Sequence, residues 1–223
     1  MVNVKTVMFK DIELIIYDLD GTLIDCTENI VASFRMIWEE IGEPFDPEEI
    51  KSRIGVGLVE ILLELLPEKY HDDGMVFRQK YIDNFMSLGT DHIQLLPNVA
   101  KTMKELKRRG FKQSIATNKT ASEAVRIIEA LGLGGYIDLY AGYGTVPNVK
   151  PAPDMILYNL EELGVSNEKA VFIDDSKVGL TAGIKAEVHT VGITTGTNSE
   201  DQIRETGPDV IIHDLFELTS LLE

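Results

Sequence analysis

Ile12-Glu13-Leu14-Ile15-Ile16-Tyr17-Asp18-Leu19-Asp20-Gly21-Thr22 is the stretch that decides the fold of this 223-residue chain. Its first half is a short apolar run rich in isoleucine, and it stops at an acidic turn containing a glycine. A strand buried on both faces of a parallel sheet reads this way, because helices cover each face and leave no polar side. Asp18 and Asp20 follow the strand, where a spacing of two can aim both carboxylates at one pocket while Gly21 lets the chain turn sharply. Carboxylates so placed repel unless something positive separates them. A hard cation such as Mg²⁺, which prefers oxygen ligands and keeps waters that a phosphate can replace, is the expected partner. The competing reading of a bare Asp-x-Asp is a strand-end aspartate that caps the next helix.

Outward from this turn, residues 27–41 carry Ile30, Val31, Phe34, Ile37, Trp38 and Ile41 at three- and four-residue spacings, an amphipathic helix that Gly42 ends. Residues 58–66 and 75–88 repeat the pattern, with Pro44, Pro47, Pro67 and Gly74 as breaks and no strand-like run. An all-helical insert over residues 24–91 is expected. From Pro97 the pattern alternates: helix 98–109, strand 111–116, helix 121–131, strand 137–141, helix 154–163, strand 170–173, a helix around Leu180, strands 188–193 and 210–212, and a helix over 215–222. This predicts an α/β fold, a Rossmann-like open parallel sheet core (residues 1–23 and 92–223) with helices on both faces, interrupted by the helical insert. The small polar loop Thr194-Thr195-Gly196-Thr197-Asn198-Ser199 reads as a plain surface connection.

Bulk properties narrow the function. The chain is long for one compact domain and short for two, which fits one core with an insertion. With 44% hydrophobic and 26% charged residues and no long apolar run, no membrane span is expected. Residues 1–10 lack a continuous apolar stretch and a small-residue cleavage site, so a cytoplasmic protein is expected. Cys26, the single cysteine, has no partner for a disulfide or a zinc cluster, which fits a reducing compartment. A net charge of −16 opposes general attraction to nucleic acid or anionic membrane, so an anionic substrate needs a local site. The oligomeric state is not legible.

Three later strand ends carry further polar groups. Ser114-Ile115-Ala116-Thr117-Asn118 ends in a hydroxyl and a carboxamide able to donate to phosphate oxygens, although Thr117 alone reads most simply as a helix N-cap. Lys150, before Pro151 and a helix start, offers the cation that a phosphoryl group needs, against the plainer reading of a solvated loop lysine. Asp174-Asp175-Ser176 supplies a second acidic pair, where a capping aspartate with a solvated neighbour explains one acid better than two. Two acidic pairs at two strand ends point to a shared cation.

In this order, Asp18-Leu19-Asp20-Gly21-Thr22-Leu23, Thr117-Asn118, Lys150-Pro151 and Asp174-Asp175-Ser176 resemble the four motifs of the haloacid dehalogenase-like hydrolases, and among them the capped phosphoglycolate phosphatase-like and β-phosphoglucomutase-like members. The likeness covers nearly the whole chain. It implies a Mg²⁺-dependent phosphatase in which Asp18 attacks phosphorus and forms an aspartyl-phosphate, and Asp20 serves as general acid and then base. It also implies that Mg²⁺ is held by the Asp18 carboxylate, the Asp20 main-chain carbonyl and the pair Asp174 and Asp175, with Asp174 either a direct ligand or one shell behind. Thr117, Asn118 and Lys150 would hold the phosphoryl oxygens. The substrate would be a small phosphorylated metabolite, phosphoglycolate first, with pyrophosphate, a sugar phosphate or a nucleoside monophosphate behind it.

The chain departs from the family where many members carry Gly-Asp-Ser and an aspartate three residues on; here Gly179 stands in place of that acid and Asp174 in place of the glycine. The family's phosphosugar mutases are an alternative, but the positions of their cap histidine and cap arginine match Ile30 and Leu58, which favours hydrolysis. Asp20 argues against the dehalogenase branch. A phospho-aspartate signalling module would place two adjacent acids after its first strand and lacks an insert there. No Gly-x-Gly-x-x-Gly follows a strand, against a nucleotide-binding oxidoreductase, and a catalytically silent binding protein would not need all four polar sites. The insert is expected to close over the site and read the leaving group, with Lys51, Arg53 and the turn Gly55-Val56-Gly57 as candidate specificity residues, or, for the two cations, a solvated helix end.

Overall fold

A computed structural model of the chain describes residues 8–54 and 58–223. In chain order its elements are strand β1 (Leu14–Tyr17), strand β2 (Ile24–Asp25), and helices α1 (Thr27–Ile41), α2 (Pro47–Lys51), α3 (Leu58–Leu65) and α4 (Gly74–Ser87). Strand β3 (Gln94–Leu95), α5 (Val99–Arg108), β4 (Lys112–Thr120), α6 (Ala121–Ala130), β5 (Leu139–Tyr143) and α7 (Asp154–Leu163) follow. The chain closes with β6 (Ala170–Asp174), α8 (Lys177–Lys185), β7 (His189–Ile193), α9 (Glu200–Thr206), β8 (Val210–Ile212) and α10 (Leu218–Leu221). The candidate turn Gly55-Val56-Gly57 lies outside the described residues.

Six strands form one parallel sheet in the order β5-β4-β1-β6-β7-β8. β1 is central because its four side chains are all apolar or aromatic and all fully buried, two on each face. Leu14 and Ile16 pack with Met155, Ile156 and Leu160 of α7 and Ala182 of α8. Ile15 and Tyr17 join the opposite cluster with Met103 and Leu106 of α5 and Ile127 and Ile128 of α6. Each such side chain contributes roughly 1.5–3 kcal/mol of burial energy. From β1 the chain winds outward to β4 and β5, then crosses to β6 and winds the other way. The carboxyl ends of β1, β4 and β6 therefore surround the point where the winding reverses, the ligand crevice of such sheets.

α1 to α4 leave the sheet between β1 and β4 and pack on one another, α1 and α3 both against α4. Phe34 and Trp38 of α1 meet Tyr81 and Phe85 of α4 in an aromatic cluster, with ring centroids 4.9–6.0 Å apart. The segment is not helical from its first residue. Ile24 and Asp25 pair antiparallel with Leu95 and Gln94, so the outgoing and returning chains run side by side. Two helices depart from the expectation. Pro47, read as a break, is the first residue of α2, where its missing N–H costs nothing and the Asp46 side chain accepts the Glu48 N–H. α9 follows the loop read as a plain connection; Ser199 and Gln202 form a reciprocal capping box, but Ile203 is its single buried residue and leaves no periodicity to read.

Candidate active site

β1 ends at Tyr17 and delivers Asp18, whose N–H donates to the Ile173 carbonyl of β6 at 2.9 Å, so the acid is fixed to the neighbouring strand. Lys150, in the loop after β5, is buried and places its Nζ 2.7 Å from Asp18 Oδ1 and 2.8 Å from Asp174 Oδ2. Asp174 ends β6, and its Oδ1 accepts the Ser176 N–H at 2.8 Å and the Ser176 hydroxyl at 2.7 Å. Ser176, not either aspartate, caps α8 by accepting from Gly179. Asp175 is buried beside them and receives a long bond from the Thr22 hydroxyl, 3.4 Å. Gly21, at φ 78°, passes so close that a Cβ there would lie 2.5 Å from an Asp175 oxygen. Gly179 likewise leaves the space that the Asp174 carboxylate fills, since a Cβ at 179 would lie 1.6 Å from Oδ2.

The carboxylates of Asp18, Asp174 and Asp175 offer oxygens within 4.8 Å of one another and share one ammonium. Burial pushes the Asp18 carboxyl up to about 7; Lys150 opposes this, and Asp174 and Asp20 add to it. Burial, then Asp174 and Asp18, holds Asp175 well above the usual carboxylate range. Lys150 stays charged because the two aspartates outweigh its own desolvation. Buried acids with an unneutralised excess of negative charge and oxygen-only donors are what a hard divalent cation requires, so the residues present fit one. A cavity of about 110 Å³ reaches Asp175 and Asp20 between Cys26 and Gly196.

β4 brings the remaining groups. Its pairing with β5 is irregular between Ala116 and Thr120, and the kink carries Thr117, Asn118 and Lys119. Thr117 is buried and accepts the Lys119 N–H at 3.2 Å; it does not cap α6, a role taken by Thr120 with Glu123. Asn118 is turned to the Lys150 backbone, accepting its N–H at 3.1 Å and donating to its carbonyl at 3.3 Å, so it fixes the loop that presents the lysine. Asp20 does not cap a helix either. Its Oδ1 accepts the Cys26 thiol at 2.8 Å, and its Oδ2 lies 3.1 Å from Lys119 Nζ, which also sits 4.2 Å from the Phe85 ring centre.

Lys119 escaped sequence reading, although its place one residue past Thr117-Asn118 at a strand end was a usable signal. The loop Thr194–Ser199 also belongs to the site, against the expectation of a plain connection. The Thr195 hydroxyl donates to the Gly21 carbonyl at 2.6 Å, Thr197 donates to the Ile54 carbonyl at 3.0 Å, and a Cβ at Gly196 would lie 1.6 Å from Asp175 Oδ2. Lys51 and Arg53 pair with Glu48 and with Glu49 and Glu64 within the helical segment, and neither lines the two cavities at the site. A larger cavity of about 300 Å³ lies between that segment and the sheet, lined by Ile30, Phe34 and Leu58 on one side and Asp20, Asn118 and Lys150 on the other.

Residues 15–193 match the family model for haloacid dehalogenase-like hydrolases. A phosphoglycolate phosphatase from Aquifex aeolicus is 33% identical over 179 residues, covering 79% of this chain and 82% of the relative. One from Nitrosococcus oceani is 28% identical over 225 residues, covering 96% and 98%. The solved structure of a haloacid dehalogenase-like family protein from Streptococcus pneumoniae superposes with a TM-score of 0.85 at 25% identity, covering 94% of this chain and 98% of that one. With four polar strand ends converging on one crevice and the family model spanning nearly the whole sheet, the chain belongs to the haloacid dehalogenase-like hydrolases, as an enzyme of the phosphatase type.

Proposed function

We propose that the protein is a Mg²⁺-dependent phosphatase that hydrolyses a small-molecule phosphate monoester through a phosphorylated Asp18. The observation that carries this is the buried pair of Lys150 Nζ with Asp18 Oδ1 at 2.7 Å, an oxygen held at a strand end beside Asp174 and Asp175. The free electron pair of Asp18 forms a bond to phosphorus while the bond to the leaving alkoxide breaks, and Asp20 gives the alkoxide a proton. Water then attacks the same phosphorus, Asp20 takes the water's proton, and the bond to Asp18 breaks. Lys150 and the Thr117 hydroxyl hold the phosphoryl oxygens, while Asn118 holds Lys150 in place. Asp18, Asp175 and the Asp20 carbonyl would hold Mg²⁺, with Asp174 behind them; the ion would neutralise charge on nucleophile and phosphate. Asp175 suits direct ligation because its one described side-chain partner is distant, whereas Asp174 already serves Lys150 and Ser176.

Residues 24–91 would act as the cap over a core of residues 1–23 and 92–223, an arrangement supported by the cavity between them. Ile30 and Leu58 face that cavity without any group to transfer a proton, which favours water over a sugar hydroxyl as the final acceptor. Phosphoglycolate is the first candidate substrate, since the relatives from A. aeolicus and N. oceani are named for it. A buried, unpaired thiol at Cys26 suits a cytoplasmic setting. The test is phosphate release over a metabolite panel with and without Mg²⁺, for the parent and Asp18→Asn. Release by the parent alone, lost in chelator, is expected; equal turnover by Asp18→Asn would overturn the nucleophile, and release persisting in chelator the metal.

A further inference from the structure

Arg78 on α4 is a buried cation that makes no ion pair among the described residues. It is 8% exposed, and its guanidinium stacks on the ring of Tyr143, 3.6 Å from the centroid, so it spans from the helical segment to the end of β5. Both residues line the cavity that also contains Asp20, Asn118 and Lys150. Other cations of that wall are engaged: Lys119 with Asp20, and Lys150 with Asp18 and Asp174. Arg78 has no ion-pair partner among the described residues, and residues 1–7 and 55–57 contain no acidic side chain. Of the other acids lining the cavity, Glu123 gives one carboxylate oxygen to the Thr120 N–H and hydroxyl, and Glu60 on α3 is exposed; neither pairs with Arg78.

Stacking satisfies the face of a guanidinium and leaves its in-plane N–H fork for an anion, which it grips in bidentate fashion. A guanidinium this buried is costly unless something pairs with it. On the phosphatase reading, the pocket is filled from Lys150 outward by the substrate's leaving portion. We propose that Arg78 receives an anionic group on that portion, a carboxylate or a second phosphate, while Phe34, Leu58 and Ile61 enclose the carbon body between the two charged ends. The substrate class is then a phosphate monoester with an acidic far end, and Arg78 is the residue that selects it. Lys51 and Arg53 have no such role, since their charges are already paired within the helical segment.

The test uses the whole protein with Mg²⁺ and two matched pairs of esters: phosphoglycolate against 2-hydroxyethyl phosphate, and propane-1,3-diyl bisphosphate against 3-hydroxypropyl phosphate. The parent should favour at least one acidic member over its neutral match by about 10- to 100-fold in kcat/KM, the factor of one charged hydrogen-bonded contact. The pair that shows the preference tells carboxylate from phosphate. Arg78→Gln should bring that ratio close to one, and Arg78→Lys should retain part of it, as a point charge without the fork. A parent ratio near one for both pairs overturns the proposal, as does Arg78→Gln losing the same factor on acidic and neutral esters, which marks a mere tie between helix and sheet. If Arg78→Gln does not fold, the parent ratio and Arg78→Lys decide. No phosphate from any ester overturns the phosphatase reading and this inference with it; release without preference overturns this inference alone.

Discussion

Asp174 and Gly179 show how one carboxylate can be supplied from two places in the chain. The Asp174 side chain fills the volume that a side chain at 179 would enter, so the acid and the glycine have exchanged positions relative to the commoner family pattern. Asp174→Gly should lower kcat/KM about 10- to 100-fold, the usual cost of losing a group that orients metal or phosphate ligands. Gly179→Asp alone should be at least as damaging, because the new Cβ meets Asp174. The double exchange should recover activity relative to either single change, a non-additivity that a double-mutant cycle on kcat/KM would read. Lys119→Met removes the ammonium beside Asp20. It should cost about 10- to 100-fold in kcat on an alkyl phosphate and much less on p-nitrophenyl phosphate, whose leaving group needs little protonation. Equal losses on both esters would assign Lys119 to folding instead.

At the scale of elements, the helical segment depends on the aromatic contact between α1 and α4. Phe34→Ala should destabilise it by about 3–5 kcal/mol, read as a lowered first transition in a urea melt, with a raised KM because Phe34 also walls the cavity. The limits of α1 and α7 were legible to the residue, Thr27–Ile41 and Asp154–Leu163, because apolar spacing and a following glycine mark both. α2 and α9 were not, because polar capping defines them and neither has an apolar stripe. The two-residue pairing of β2 with β3 left no period to detect. That Asp18, Asp174 and Asp175 come together was legible, since strand ends in such a sheet share one edge. Lys119, Arg78 and the Thr195–Thr197 contacts were not, since each gains its meaning from a partner far along the chain.

For the whole molecule, the metal-fitting site lies inside a body of net charge −16. An anionic ester approaches against that field. At about 10 mM ionic strength the field reaches roughly 30 Å from the surface, and at 150 mM about 8 Å. kcat/KM for a dianionic substrate should therefore rise as inert salt is added at fixed Mg²⁺, with kcat little changed. A fall with salt would mean that the local cations dominate the approach.

The pairing of Ile24 with Leu95 brings the outgoing and returning chains of the helical segment to neighbouring-strand distance. Everything between them is thus attached at a single seam, and a foreign insert whose own ends lie equally close could be spliced there without stretching β1 or β4. For a protein engineer, the same seam is the place to graft a new selectivity module.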